Sequence, residues 1–209
     1  MANEIEAPTK AEMALLEPFD GLTLEQIKVP QTKEEFAAAA SDLACCQFIG
    51  FDTESRPTFQ KGEASLGPHI VQLSTLETAY IFQLSKIESH RHIADLVESK
   101  QIVKVGFGLK SDKSHLRRKL GINPGAILDM DKVFRQKGYR KELGVKAAVA
   151  LVFNQRFQKS KSVTMSNWAA RELKSNQLIY AANDAYAAVK LLSVINKSST
   201  LTGLPVTDL

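Results

Sequence analysis

Four carboxylates in three separated segments carry most of the chemistry this chain offers: Asp52 and Glu54 in IGFDTES, Asp112 in KVGFGLKSD, and Asp184 in YAANDAY. Each lies beside, or at the end of, a stretch whose apolar pattern marks it as buried. Desolvating an ionised carboxyl group is costly, so such groups are rarely placed there without partners. Four acids gathered at one spot repel one another unless a multivalent cation neutralises them. The set predicts a divalent-metal site.

Spacing supports that chemistry. Asp52 and Glu54 are two apart on an expected strand, so both side chains share one face while Thr53 turns to the other, with the two Cα atoms roughly 6 to 7 Å apart. Tyr180 and Asp184 are i and i+4 on an expected helix and so are neighbours on one face. Ala187 and Leu191 continue that stripe, which aims Asp184 inward. Asp112 follows GFGLKS, where Gly106 and Gly108 allow a tight strand-to-helix turn. Such a turn delivers Asp112 to the carboxyl end of a strand, where α/β sites usually sit. A phosphate-binding loop is disfavoured, because the third glycine of the nucleotide fingerprint and any Walker sequence are missing.

The elements that must hold these residues can be read in order. Residues 1–30 form a polar N-terminal arm punctuated by Pro8, Pro18 and Pro30, with a short helix around Leu24 to Lys28. TKEEFAAAASDL is a helix with Thr32 as N-cap and Glu35 closing a capping box. QFIGFDTE is a nearly continuous apolar strand, as in a buried central position. HIVQLST and AYIFQL form a hairpin around Leu76 to Thr78. A helix at SHRHIADLVES precedes the strand QIVKVGFG. SDKSHLRRKLG is a helix closed by Gly121. After a short strand in AILDM come helices at DKVFRQKG and KELGVKAAVALVF, a basic loop QRFQKSKSVT, and a turn at NWAAREL capped by Ser166. Ser175 starts a last long helix. The predicted fold is α/β, a mixed sheet flanked by helices. It occupies residues 31–198, with a C-terminal tail at 199–209.

Bulk properties narrow the class. The chain has 209 residues, 44% hydrophobic and 24% charged, values of a soluble globular domain. No apolar stretch is expected to reach the length of a membrane span, and MANEIEAPTK lacks the regions of a signal peptide, which together predict a cytoplasmic protein. Cys45 and Cys46 are adjacent and are the only cysteines. That excludes a disulfide framework and a cysteine-based zinc site, and leaves two small buried residues. Residues 1–54 hold 3 Lys and Arg against 11 Asp and Glu, whereas residues 100–161 hold 16 against 4. The second band is the footprint expected for a polyanion. His69, His90 and His92 have no metal-like company, and His90 and His92 are expected to be exposed at a helix start; His115, three residues past Asp112, is expected on a helix surface rather than as a ligand.

The order D-x-E, then D, then Y-x-x-x-D resembles the DEDD superfamily of 3′→5′ exonucleases, in its tyrosine-containing branch. GFDTE, VGFGLKSD and YAANDAY match its three motifs, from about Cys46 to Ile195. KSVTMSNW is similar to the segment before the last helix in exonuclease domains of the Werner-syndrome helicase type, and the ribonuclease D catalytic domain is a relative. The histidine branch would carry His where Ile179 stands.

The resemblance implies a ribonuclease H-like fold and two divalent cations, Mg²⁺ or Mn²⁺, with no small organic cofactor. It implies Asp52, Glu54, Asp112 and Asp184 as ligands and Tyr180 as the residue orienting the attacking water. Thr53, Ser55, Arg56, Phe107, Lys161, Asn167 and Trp168 are then expected against the substrate, with Lys159 and Ser166 along the strand's path. The implied partner is single-stranded nucleic acid with a free 3′ end, DNA favoured, and no membrane. The alternatives are an RNA 3′-end trimming enzyme and a non-catalytic binding module on the same scaffold. Proofreading polymerases of this superfamily carry Asn where Gly108 stands, so that contact has no counterpart here.

Overall fold

Apolar runs too long to alternate become the centre of a sheet, and small residues on the longest helix let it lie close beneath. The computed structural model describes residues 7–58, 63, 65–139 and 142–198. The expected tail, 199–209, lies outside them. The chain opens with α1 (Lys10–Ala14), β1 (Glu17–Pro18), a 3-10 turn (Leu24–Gln26), β2 (Ile27–Lys28) and α2 (Lys33–Ala44). β3 (Phe48–Glu54), β4 (Ile70–Ser74) and β5 (Ala79–Gln83) follow, then α3 (Ser89–Glu98), β6 (Val103–Gly106), α4 (Lys110–Leu120) and β7 (Ile127–Asp129). The remainder is α5 (Met130–Gln136), α6 (Val145–Phe153), β8 (Gln155–Arg156), α7 (Lys161–Thr164) and α8 (Ser175–Ser198).

Six strands form one mixed sheet in the order β2-β5-β4-β3-β6-β7. β3 is central: antiparallel to β4 and parallel to β6. β4 and β5 make the predicted hairpin, closed by the Thr75 N–H donating to Thr78 O. The two faces of β3 divide the labour. Ile49 and Phe51 pack with Phe36, Leu43, Ile93 and Leu116 from α2, α3 and α4. Gly50, Asp52 and Glu54 face the other way, toward α8. There α8 contributes Ala181 and Ala182 to one cluster and Ala187, Ala188 and Leu191 to another shared with α5 and α6. Helices therefore cover both faces, and the carboxylates emerge at the carboxyl end of β3.

Local signals gave several boundaries. Thr32 caps α2 by accepting from Glu35 N, with Glu35 returning the bond, and Gly121 ends α4 at φ 72°. Other expectations change. Of the segment expected as an arm, residues 1–6 lie outside the described residues, and 17–28 pack onto the domain: β1 pairs with β8, β2 extends the six-stranded sheet, and Leu22 is buried. The expected helix near Leu24 is a single 3-10 turn that runs straight into β2, whose parallel pairing with β5 straightens the chain. α6 starts at Val145 because the backbone at Gly144 is extended (φ −79°, ψ 168°). The basic loop holds β8 and α7. Asn167, not Ser166, caps the turn before α8, through Oδ1 accepting from Ala169 N. Cys45 is exposed rather than buried: α2 ends there, and its Sγ turns back to donate to Ser41 O at 3.3 Å. His90 and His92 are only half-exposed: His90 Nε2 lies 2.9 Å from Leu84 O, and His92 stacks on Phe36.

One segment, Ser175–Ile195 in α8, is long and apolar enough to cross a membrane, contrary to the expectation of none. It is 72% buried within the protein, which marks a core helix. The basic band is also partly consumed internally. Lys104 is buried and donates to Ile102 O and Ser99 O. Arg118 and Lys119 bond carbonyls of residues 65–68, and Arg135 pairs with Asp131.

Candidate active site

Asp52, Glu54 and Asp184 converge. One ligand oxygen from each lies within 4.8 Å of the others. β3 supplies the first two by simple alternation, and α8 supplies the third because it lies close beneath the strand. The closeness is set at Gly50, one pleat before Asp52. A Cβ there would stand 2.0 Å from Ala185 O, a backbone atom adjacent to Asp184. Any side chain at residue 50 would force helix and strand apart.

Asp112 reaches the cluster from the opposite layer. It sits in the first turn of α4, whose Leu116 belongs to the other core, and is 7% exposed. Thr53, facing that layer, donates its hydroxyl to Asp112 Oδ1 at 2.5 Å, and the Thr53 N–H donates to Asp52 Oδ1 at 2.8 Å. Thr53 thus ties two of the acids together, and its hydroxyl is committed to Asp112 rather than turned to a substrate. The turn that delivers Asp112 is held by Asp129 at the end of β7. Its carboxylate accepts from Gly108 N (3.1 Å), Leu109 N (3.2 Å) and Asp131 N (3.2 Å), and Gly108 takes φ +64°. Nothing in the local sequence marked Asp129 for this task. Asp129→Ala is expected to cost about 1–2 kcal/mol, as for loss of a helix cap, and to lower any activity that needs Asp112 in place. Urea unfolding of the variant checks the first.

Tyr180 stands one turn before Asp184 and is 6% exposed. Its Oη lies 3.0 Å from Thr164 Oγ1, a hydroxyl that also lies 3.1 Å from Ser160 O. Burial first, and Asp184 second, push the phenol above its usual range, so it stays protonated. Trp168 packs against the Tyr180 ring at 5.8 Å and donates its indole N–H to Thr164 O. Being 1% exposed, Trp168 is a wall of the site and presents no face to a substrate, which corrects the expectation for it. Ser55 and Phe107 are half-buried; Arg56, Lys161 and Asn167 are exposed. Ser166 Oγ accepts from Gln177 Nε2. Lys159, expected along a strand's path, instead pairs with Asp184 at 2.9 Å. Burial holds Asp112 above the usual carboxylate range, with the Thr53 hydroxyl first and then His115, half-exposed on α4, among the groups that oppose it.

The electrostatics are those of crowded acids. Burial, then Asp112, Asp184 and Glu54, hold Asp52 well above the carboxylate range. Asp184 is also raised, chiefly by burial, with Lys159 opposing. Burial and then Asp184 push Glu54 up to about 8. Asp184 Oδ1 accepts no hydrogen bond among the described residues. An all-oxygen donor set, mutually repelling and holding an orphaned buried oxygen, fits a hard divalent cation. A distinct groove of about 1040 Å³ lies at the other end of the sheet, lined by Tyr80, Phe48, Leu76 and Val189 among others, and contains none of these acids.

Glu54 gives a pH prediction. Its folded-state value near 8 lies above the ordinary 4.5, so the folded chain holds this proton more tightly than the unfolded one. The resulting stabilisation of metal-free protein is full below about 4.5 and is lost as pH rises through about 8. Glu54→Gln, which imitates the protonated group, is expected to melt with the wild type at low pH and above it beyond that window. Thermal melts in chelator, with equal midpoints across the whole range, would contradict this.

A family model described as 3′-5′ exonuclease matches residues 27–199. The chain belongs to the 3′-5′ exonuclease family. Among curated relatives, a "3'-5' exonuclease" from Arabidopsis thaliana is 29% identical over 181 residues, covering 84% of this chain and 59% of that protein. The bifunctional 3'-5' exonuclease/ATP-dependent helicase WRN of Mus musculus is 30% identical over 144 residues, 68% of this chain and 10% of that one. This chain therefore spans less than two thirds of either relative. Among solved structures, the Nibbler EXO domain of Aedes aegypti superposes with a TM-score of 0.71 at 23% identity, covering 84% of this chain and 89% of that one. RNase D of Trypanosoma brucei gives 0.73 at 20% identity, covering 86% and 66%. These likenesses establish the ribonuclease H-like exonuclease fold expected from the motifs.

Proposed function

We propose that this chain hydrolyses phosphodiester bonds at the 3′ ends of single-stranded nucleic acid, DNA favoured, with two divalent cations, releasing nucleoside 5′-monophosphates. The observation that carries this is the meeting of Asp52, Glu54 and Asp184 within 4.8 Å, with Asp112 beside them and a protonated Tyr180 over them. Asp52, Glu54, Asp112 and Asp184 are the groups that would hold Mg²⁺ or Mn²⁺, directly or through water. Bound there, the cations supply positive charge to a phosphodiester and lower the pKa of a ligated water.

The chain's own groups do the rest. Tyr180 keeps its proton and, held by the contact of Oη with Thr164 Oγ1, would donate to the attacking water or to a phosphate oxygen. Thr53 fixes the relative placement of Asp52 and Asp112. Trp168 and Tyr180 close one wall and limit bulk water. Arg56, Lys161 and Asn167 are exposed, and as polar and cationic groups they would meet a phosphate backbone.

The test is timed digestion of matched 5′-labelled DNA and RNA strands of one sequence with Mn²⁺ and with Mg²⁺. A ladder shortening from the 3′ end, faster on DNA, is expected. Faster RNA loss transfers the assignment to RNA trimming. Tight binding of both strands without turnover in either metal would leave a binding module.

A further inference from the structure

Lys159 places an ammonium inside the acid cluster. Nζ lies 2.9 Å from Asp184 Oδ2 and 5.4 Å from the centroid of the Tyr180 ring. The lysine side chain is 32% exposed and that of Asp184 is 3% exposed, so the pair is largely withdrawn from water. The backbone that carries it is anchored on both sides. Phe157 is buried in the core shared by α6 and α8, and the Lys159 carbonyl accepts from Lys146 Nζ at 3.4 Å. Lys159 itself leads into α7, whose Val163 is buried. The ammonium is therefore delivered to Asp184 by fixed structure rather than by a freely swinging surface chain.

Asp184 is also one of the three acids whose oxygens lie within 4.8 Å of one another. A carboxylate oxygen that accepts from an ammonium uses the same lone pairs that a hard cation takes, and two cations at that range repel. We infer that Lys159 is a built-in counter-ion of this site, a positioning residue that holds Asp184 toward Asp52 and Glu54 and competes with the divalent cation for it. A divalent cation must then load against the repulsion of the ammonium, and at Oδ2 must displace it, which raises the divalent-ion concentration needed. The inference rests on the metal-dependent function proposed above and adds a control on it.

Calorimetric titration of Mn²⁺ into the full chain, without nucleic acid and in alkaline buffer that keeps the acids ionised, tests this. The proteins are wild type, Lys159→Met, Lys159→Arg and Asp184→Asn. Lys159→Met is expected to bind Mn²⁺ roughly tenfold more tightly, the worth of one charge-assisted hydrogen bond to the ligand oxygen. It should also melt at lower temperature than the wild type in chelator, since an internal counter-charge is gone. Lys159→Arg keeps the charge and should stay near wild-type affinity. If Lys159→Met fails to fold by circular dichroism, Lys159→Gln carries the same expectation. Mn²⁺ affinity in the neutral variant equal to or weaker than wild type overturns the inference. If the wild type binds Mn²⁺ and Asp184→Asn does not, that failure leaves the metal site standing. Absence of Mn²⁺ binding by the wild type removes both.

Discussion

Asp184→Ala is expected to abolish exonuclease turnover, a loss on the order of 1,000-fold or more, while leaving the fold intact. Asp184 is a cluster acid on α8, and it is 5% exposed with one oxygen unpartnered among the described residues. Removing it takes away the acid that α8 brings to the two of β3. The fold survives because the acid is not what holds the helix: Ala181, Ala182, Ala187, Ala188 and Leu191 do that by packing. Asp184 is, if anything, a burden on the metal-free protein, since burial already raises it above the carboxylate range. Asp184→Asn, of nearly equal volume, is therefore expected to melt no lower than wild type in chelator and to be equally inactive. Asp52→Ala should behave alike in activity. Turnover in Asp184→Asn within a few-fold of wild type would remove Asp184 from the machinery. A collapse of its far-UV circular dichroism would instead make the residue structural.

Gly50→Ala is expected to damage both stability and activity through one added methyl group. The new Cβ would meet Ala185 O at 2.0 Å and Ala185 C at 2.6 Å. Both are backbone atoms, so no side-chain rotation relieves the contact. The strand and α8 must separate, at a cost of about 1–3 kcal/mol for overpacking. Asp184 adjoins Ala185 and moves with it. A displacement near 1 Å at a reacting centre costs on the order of 100-fold in rate. The fall in activity should therefore exceed what the remaining folded fraction explains. Ala185→Gly added to Gly50→Ala should not rescue either property, because the obstructing atom is the carbonyl oxygen. Rescue by that second change, or wild-type melting of Gly50→Ala, would show that the approach of strand to helix is not the controlling contact.

What could be read from the sequence was what local physics decides. The capping box at Thr32 and Glu35, the left-handed stop at Gly121 and the start at Ser175 are each written within a few residues. So is the alternation that places Asp52 and Glu54 on one face. The inward aim of Asp184 followed from the stripe shared with Tyr180, Ala187 and Leu191. The remainder depends on which distant segments meet. Two-residue strands such as β1, β2 and β8 have no periodicity of their own and exist only because a partner strand accepts them. Gly50 reads as an ordinary glycine in a strand until α8 is laid against it. Thr53 was correctly turned away from Asp52, yet its partner there, Asp112, comes from a helix in the other layer. Lys159 looked like one of many basic residues in a loop. Its contact with Asp184 depends on how β8 and α7 bring that loop back over α8. Trp168 was expected against the substrate from the resemblance of KSVTMSNW, whereas burial against Tyr180 gives it a packing role.

The central claim is that acids from β3, α4 and α8 form one pocket for divalent cations. Anomalous diffraction from crystals of the protein soaked in Mn²⁺ tests it most directly. Strong peaks bounded by Asp52, Glu54 and Asp184, with Asp112 reached directly or through water, are the expected result. Fully exchanged crystals with no anomalous density among these carboxylates, or with Mn²⁺ bound only elsewhere on the surface, would contradict it.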